Sequence, residues 1–280
     1  YIVVDFANAP TAQVLAPLLT RLNVRVVALN EAVDENRMSI PSNEFQGSLR
    51  QLATICEVLE TAMGVRLDVG GERVYVVDDL GRSVSHTVLG AAMAILALRA
   101  HHGGSIAVPV SMPDLFEQIA SEHGGQIIRT KMSSAAIMTA CNAPEVIMAT
   151  DGRGSFIWPG FQPVVDGMMT VAKMLEYLTT QSLHLSEALA MVPPFHAAQG
   201  VVNCPWENKG TVMRLLNRQY QERLEAKIDG VKIRLGEHEW VLLLPDEDQP
   251  RFQIYAEGRS ENHARDLVQR YERIVEGLQE

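Results

Sequence analysis

Clustered positive charge is missing from this 280-residue chain: 24 lysines and arginines stand against 34 aspartates and glutamates, for a formal net charge of −10. That balance argues against a nucleic-acid partner, because phosphate-backbone binding needs clustered Lys and Arg. Cysteine is scarce as well. Cys56, Cys141 and Cys204 are far apart, odd in number and without metal-type spacing, so they read as buried reduced thiols rather than a disulfide framework or a zinc site. The longest strongly apolar stretch, Val88 to Leu98, is too short to span a bilayer. There is no Walker loop, no dinucleotide fingerprint and no nucleophile elbow. No signal peptide is visible, and the cytoplasm is the expected compartment. The chain opens on Tyr1-Ile2-Val3-Val4-Asp5, which reads as a buried strand without a preceding methionine. The expectation is an upstream domain in the same parent protein.

What is present is an ordinary globular composition, 47% hydrophobic and 21% charged, long enough for two domains or three small ones. Strand signals at Ile2–Asp5 and Val24–Leu29 flank helical spacing over Thr11–Leu22. Asn43 can cap a helix that carries Phe45, Leu49, Leu52, Cys56, Leu59 and Met63 on one face and stops at Gly64. Strands then follow at Val65–Val69 and Arg73–Val77 around the Gly70-Gly71 turn, with a turn at Asp79-Leu80-Gly81. A second unit runs helix Thr87–Arg99, strand Ser105–Val110, a helix opened by Met112-Pro113-Asp114 and ended by Gly124-Gly125, and strand Gln126–Thr130. It continues with a helix to Cys141, strand Val146–Ala149, a glycine-rich loop and helix Asp166–Thr179. Such alternation implies α/β layers with largely parallel sheets. Pro193-Pro194 and an irregular segment mark a boundary. Beyond it lie helix Lys209–Leu224, strands near Lys227–Leu235, Trp240–Leu244 and Arg251–Glu257, and a closing helix Ser260–Leu278.

Several tempting signals have plainer readings. Asp78-Asp79 follows a strand and suits a turn. His101-His102 end a helix, where cations complement the dipole. Met168, Met169 and Met174 are spaced as core filler, Ser85-His86 are mere sequence neighbours, and Lys209-Gly210 is an isolated pair.

Three loops carry a family resemblance. Leu67-Asp68-Val69-Gly70-Gly71-Glu72-Arg73 resembles the metal loop of the α-D-phosphohexomutases, Asp-x-Asp-x-Asp-Arg, with Gly70 at the second acid and Glu72 at the third. Mg²⁺ takes hard oxygen ligands in near-octahedral geometry, and glycine offers no side-chain oxygen. Thr150-Asp151-Gly152-Arg153-Gly154-Ser155 resembles the sugar-recognition loop Gly-Glu-x-Ser-Gly, with Asp151 for the glutamate, Arg153 for the serine and Gly154 retained. Leu244-Pro245-Asp246-Glu247-Asp248-Gln249-Pro250 stands where the family has its phosphate loop, Arg-Pro-Ser-Gly-Thr-Glu-Pro. Asp246, Glu247 and Asp248 would there repel the phosphate that such a loop otherwise gathers with converging donors.

The resemblance covers essentially the whole chain and implies an α/β protein. Its expected parts are two mutase-type α/β/α domains with mixed, mostly parallel sheets (1–83 and 84–195) and a small α+β C-terminal domain (196–280). They would correspond to the family's domains two, three and four. The phosphoserine loop belongs to the family's first domain, so no catalytic residue is expected here. Asp68 and Glu72 count as metal-site remnants beside Arg73, and no cofactor is expected. The Phe161-Gln162-Pro163 variant is similar to the C-terminal part of mannose-1-phosphate guanylyltransferase-like fusions, which implies a regulatory or assembly role. The alternative is a fragment of an active phosphoglucomutase or phosphomannomutase, and Mg²⁺ is expected only on that reading. The expected partners are the upstream domain, a small-molecule effector or a second copy of the chain, with no nucleic acid and no membrane.

Overall fold

A computed structural model describes residues 1–225 and 227–279. They form two compact units. The first comprises Tyr1–Pro109, Phe116–Ile128 and Ser133–Pro193, and the second Val110–Leu115, Arg129–Met132 and the chain from Pro194 onward.

The first unit opens with β1 (Ile2–Asp5), α1 (Ala12–Arg21), β2 (Val26–Leu29), α2 (Glu35–Met38), α3 (Ser42–Leu59), β3 (Met63–Leu67) and β4 (Val74–Val77). Their sheet has the order β2-β1-β3-β4. β1 runs parallel to both β2 and β3, and β4 returns antiparallel. β1 and β3 are buried along their whole length. That is why both read as continuous rather than alternating apolar runs.

Gly64 does not stop α3. The helix ends at Glu60 in the left-handed region (φ 50°), where the Thr61 N–H donates to the Cys56 carbonyl at 3.2 Å. Gly64 instead lies within β3, directly beneath α3. A Cβ there would collide with Cys56 Sγ and lie 3.1 Å from the Leu52 side chain.

A second sheet, in the order β6-β5-β7-β8-β9, follows. It is built from α4 (His86–His101), β5 (Gly104–Pro109), α5 (Leu115–Glu122), β6 (Gly125–Thr130), α6 (Ser134–Ala140), β7 (Val146–Thr150), β8 (Phe156–Trp158), β9 (Gln162–Val165), α7 (Gly167–Thr180) and α8 (Leu185–Ala190). β5 and β7 are parallel, and β8 and β9 fold back antiparallel. Ser85 caps α4 through Val88 N–H, and every residue from Leu89 to Leu98 is buried. A helix apolar all round must be covered all round, and α4 packs against β5, β7, α7 and α8. His102, left-handed at φ 56°, ends it. Asp166 caps α7 through Met169 N–H at 2.8 Å.

The second unit contains β10 (Ala197–Asn203), α9 (Trp206–Gln219), β11 (Val231–Gly236), β12 (Glu239–Pro245), β13 (Arg251–Glu257) and α10 (Glu261–Gly277). Its antiparallel sheet has the order β10-β13-β12-β11. The segment after Pro193-Pro194 is therefore a strand, not irregular chain. It pairs with β13 along seven residues. α10 is capped by Ser260 and lays Ala264, Leu267, Val268, Tyr271 and Val275 onto the sheet. α9 ends at Gln219, earlier than the Leu224 the sequence suggests. The segment Val110–Leu115 is tied into this unit by the Arg234–Asp114 ion pair and by Asp114 N–H on Glu257 (2.9 Å).

Candidate sugar-phosphate site

The loop between β3 and β4 is closed by Asp68. Its Oδ1 accepts the backbone N–H groups of Glu72 (2.7 Å) and Arg73 (3.1 Å), while its main chain pairs with Arg73 and Gly71. Gly71 is required by the turn. Its φ is +68°, and a Cβ would come within 2.8 Å of Thr11 Cγ2. Gly70 is under no such demand, since the nearest atom to a Cβ there is Glu72 Cγ at 3.5 Å. Glu72 and Arg73 are both exposed.

The β7–β8 loop follows the same plan. Asp151 Oδ1 accepts from Arg153 N–H (2.7 Å) and Ser155 N–H (3.0 Å), and the Thr150 hydroxyl donates to the Ser155 carbonyl at 2.9 Å. Gly154 has φ +97°, and a Cβ would press on His86 Nε2 and the Val74 carbonyl, both at 2.9 Å. This loop meets the first one. Val74 N–H donates to the Gly154 carbonyl at 3.0 Å, and Arg73 forms an antiparallel bridge with Ser155. The structure therefore brings Asp68, Glu72 and Arg73 together with Asp151, Arg153 and Gly154.

His86, which sequence reading set aside, lies beneath this junction at the start of α4. Burial pushes its pKa down; the Asp151 carboxylate opposes that shift and Arg73 adds to it. The ring also sits 5.1 Å from that of Tyr75. The signal that could have found it is a histidine at the first helical position behind a serine cap.

The third loop belongs to the second unit. Asp246 folds inward there. Oδ1 accepts from Asp248 N–H (3.0 Å) and Gln249 N–H (3.1 Å), and Oδ2 from Arg251 Nε (2.7 Å) and the Gln253 amide (2.9 Å). The Gln253 amide and the Arg251 guanidinium hold this carboxyl well below the usual carboxylate range. Lys209 is buried, lies 3.7 Å from the Trp206 ring centroid, and donates to the carbonyls of Asp246 and Gln249. The expectation of three outward carboxylates is thus corrected. Glu247 and Asp248 are exposed, but Asp246 is the loop's internal anion, and the lysine dismissed as isolated anchors the loop.

A magnesium ion was tested against these side chains. Gly70 supplies no oxygen, and Asp68 Oδ1 is committed to two amides. Among the described residues no three His, Cys, Asp or Glu side chains converge as a metal site. The residues present do not fit a three-carboxylate magnesium centre. Nor is any helix among the described residues long and apolar enough to cross a membrane.

Comparison with known proteins supplies the rest. Residues 86–195 match the family described as phosphoglucomutase/phosphomannomutase, alpha/beta/alpha domain III. A probable phosphoglucosamine mutase of Methanopyrus kandleri is 28% identical over 98% of this chain and 61% of its own length. The chain therefore spans about three fifths of that relative. A phosphoglucomutase/phosphomannomutase family protein from Burkholderia thailandensis shares the fold, with a TM-score of 0.82 at 17% identity over 99% of this chain and 60% of its own. So does an Aspergillus fumigatus N-acetylphosphoglucosamine mutase solved with GlcNAc-6P and magnesium, with a TM-score of 0.66 at 11% identity over 98% of this chain and 65% of its own. These relatives are all mutases by name, and the expected guanylyltransferase fusion gains no support from them. Residues 86–195 match the family's third domain, and over its whole length the chain is similar in sequence to phosphoglucosamine mutases and in fold to solved members of the α-D-phosphohexomutase superfamily.

Proposed function

We propose that this chain is the sugar-phosphate-binding body of a phosphohexomutase-type protein, with phosphorylated hexoses or hexosamines as its ligand class. The observation that carries this reading is that similarity to a phosphoglucosamine mutase extends over 98% of the chain rather than over one domain. The junction of the Asp68–Arg73 and Asp151–Gly154 loops offers the exposed Arg73 for an anionic group. Phosphoryl transfer itself needs an activated nucleophile and charge stabilisation at the transferring group. In this reading that step belongs to the parent protein, and no step is routed through a metal that these residues do not fit.

A second reading is favoured by Asp246, whose carboxylate takes the four donors of its own loop. There the chain is a catalytically altered module serving regulation or assembly in a sugar-nucleotide pyrophosphorylase of mannose-1-phosphate guanylyltransferase type. The parent protein, assayed with Mg²⁺ for isomerisation of glucose 1-phosphate, mannose 1-phosphate and glucosamine 6-phosphate, separates the two. Turnover supports the first reading. Calorimetric binding of one of these sugars without turnover supports the second, and absence of both binding and turnover removes the proposed ligand class.

A further inference from the structure

The end of the second sheet opposite Asp151–Gly154 holds a cavity of about 670 Å³ that the proposed function leaves unused. Small-molecule sites usually enclose about 300–1,000 Å³, with mostly apolar and aromatic walls and a few convergent polar groups. β7 has five residues, which at about 3.3 Å each separate the cavity from the Asp151 loop by roughly 16 Å.

Its walls are Pro144 and Val146 at the entry to β7, the Trp158–Pro163 connection, and Met169, Lys173 and Tyr177 on α7. The indole N–H of Trp158 is committed to the Thr170 hydroxyl at 3.0 Å, so this residue offers the cavity apolar surface and no donor. Phe161, held between Pro159 and Pro163, is 61% exposed at the rim. Covering such a ring is favourable by about 1.5–3 kcal/mol.

The ionisable groups of the lining are telling. In a chain of net charge −10, no aspartate or glutamate among the described residues lines this cavity, whereas Lys173 and His101 do. Lys173 Nζ lies 5.4 Å from the Tyr177 ring centroid and 2.8 Å from Glu176, whose side chain is 51% exposed. Lys173 itself is 20% exposed, so the pair is open to solvent on the glutamate side. Pairs exposed in this way are weak, contributing about 0–1 kcal/mol when fully exposed, and a ligand anion can compete for the ammonium. Tyr177 Oη stands 3.4 Å from His101 Nε2, and burial pushes its pKa up to about 12, keeping it a neutral hydroxyl. The Cys141 thiol is likewise kept neutral by burial, at about 11. The one carboxylate close to the described lining is therefore Glu176, the partner of Lys173 that a ligand anion would displace.

We propose that this cavity binds a small molecule made of an apolar ring and a single anionic group, the ring against Phe161, Trp158 and Pro144 and the anion at Lys173. The site is independent of the sugar-phosphate reading and fails or stands separately from it. The test uses 8-anilinonaphthalene-1-sulfonate as probe, with uncharged N-phenyl-1-naphthylamine as the same ring system lacking the anion. Wild-type protein is expected to bind the sulfonate saturably, one probe per chain. Lys173→Gln should weaken the sulfonate about tenfold or more while leaving the neutral probe unchanged, and Phe161→Ala should weaken both. The Phe161 side chain is exposed and that of Lys173 half-buried on α7, so the melting temperatures of both variants are measured beside wild type as the folding control. Unsaturable binding, equal loss of both probes in Lys173→Gln, or no loss in Phe161→Ala overturns the proposal.

Discussion

Asp68, Asp151 and Asp246 perform one local task. Each turns a carboxylate back onto backbone N–H groups two to five residues ahead and so closes its own loop. Asp246 goes furthest, because its second oxygen also takes Arg251 and Gln253. Hydrogen bonds to charged groups contribute about 1.5–3 kcal/mol each, and an amide cannot reproduce the second oxygen's acceptor role. Asp246→Asn is therefore expected to cost about 2 kcal/mol in urea unfolding at pH 7. The folded pKa of Asp246 is depressed, so its extra stability is present above the unfolded carboxyl pKa and is lost as pH falls through the folded one. The gap between wild type and variant should narrow below about pH 4. A gap that stays constant down to pH 3 would show that the carboxylate does not close the loop. The sequence showed three acids at this place. That Asp246 is the one turned inward follows from the Arg251 and Gln253 side chains on β13 that meet its second oxygen, and the main-chain anchor from Lys209, 37 residues earlier, is not visible in any local pattern.

Among the elements, those with a strong period or a clear cap were legible. β1 and β13 match the sequence reading residue for residue, and Asp166 and Ser260 open α7 and α10 as caps. β10 was not legible. Its Ala-Ala-Gln-Gly-Val-Val-Asn run is mostly exposed or half-buried, and it pairs with β13 alone at the sheet edge. Its Gly200 looks like a loop residue, yet a Cβ there would collide with Val268 and Glu272 of α10. Gly64 misled for the same reason, since its role is close approach and not termination. Gly64→Ala forces Cys56 and Leu52 of α3 away from β3, an overpacking of the kind that costs about 1–3 kcal/mol. A double variant with Cys56→Ala, which removes the sulfur that the new methyl would strike, should be less unstable than the two single changes summed. Thermal unfolding of the four proteins measures this coupling. Strict additivity would place the strain elsewhere.

At the scale of the whole molecule, the fold is that of the mutases it resembles, while three loops carry side chains that differ from the pattern the resemblance implies. The metal loop is the one place where a single substitution can test how much of that chemistry is still built in. Gly70 is not left-handed, and the nearest atom to an added Cβ is Glu72 Cγ at 3.5 Å, so the position takes an aspartate without strain. Both amide bonds to Asp68 use Oδ1, so neither engages Oδ2. Gly70→Asp therefore adds a third carboxylate to Asp68 and Glu72 in a loop that already has the right spacing. Oxygen ligands of this kind are what Mg²⁺ selects. The variant is expected to gain a magnesium-dependent rise in melting temperature that wild type lacks, since a cation at about 100 times its Kd adds about 2.7 kcal/mol. Gly70→Asn is the control, with similar shape and one charge fewer. Adding a third acid without a cation increases repulsion in the loop, so Gly70→Asp should also be the least stable of the three proteins in EDTA. If Gly70→Asp and Gly70→Asn respond alike to magnesium, the loop no longer holds its carboxylates in a metal-binding arrangement. Asp68 would then be a turn residue alone.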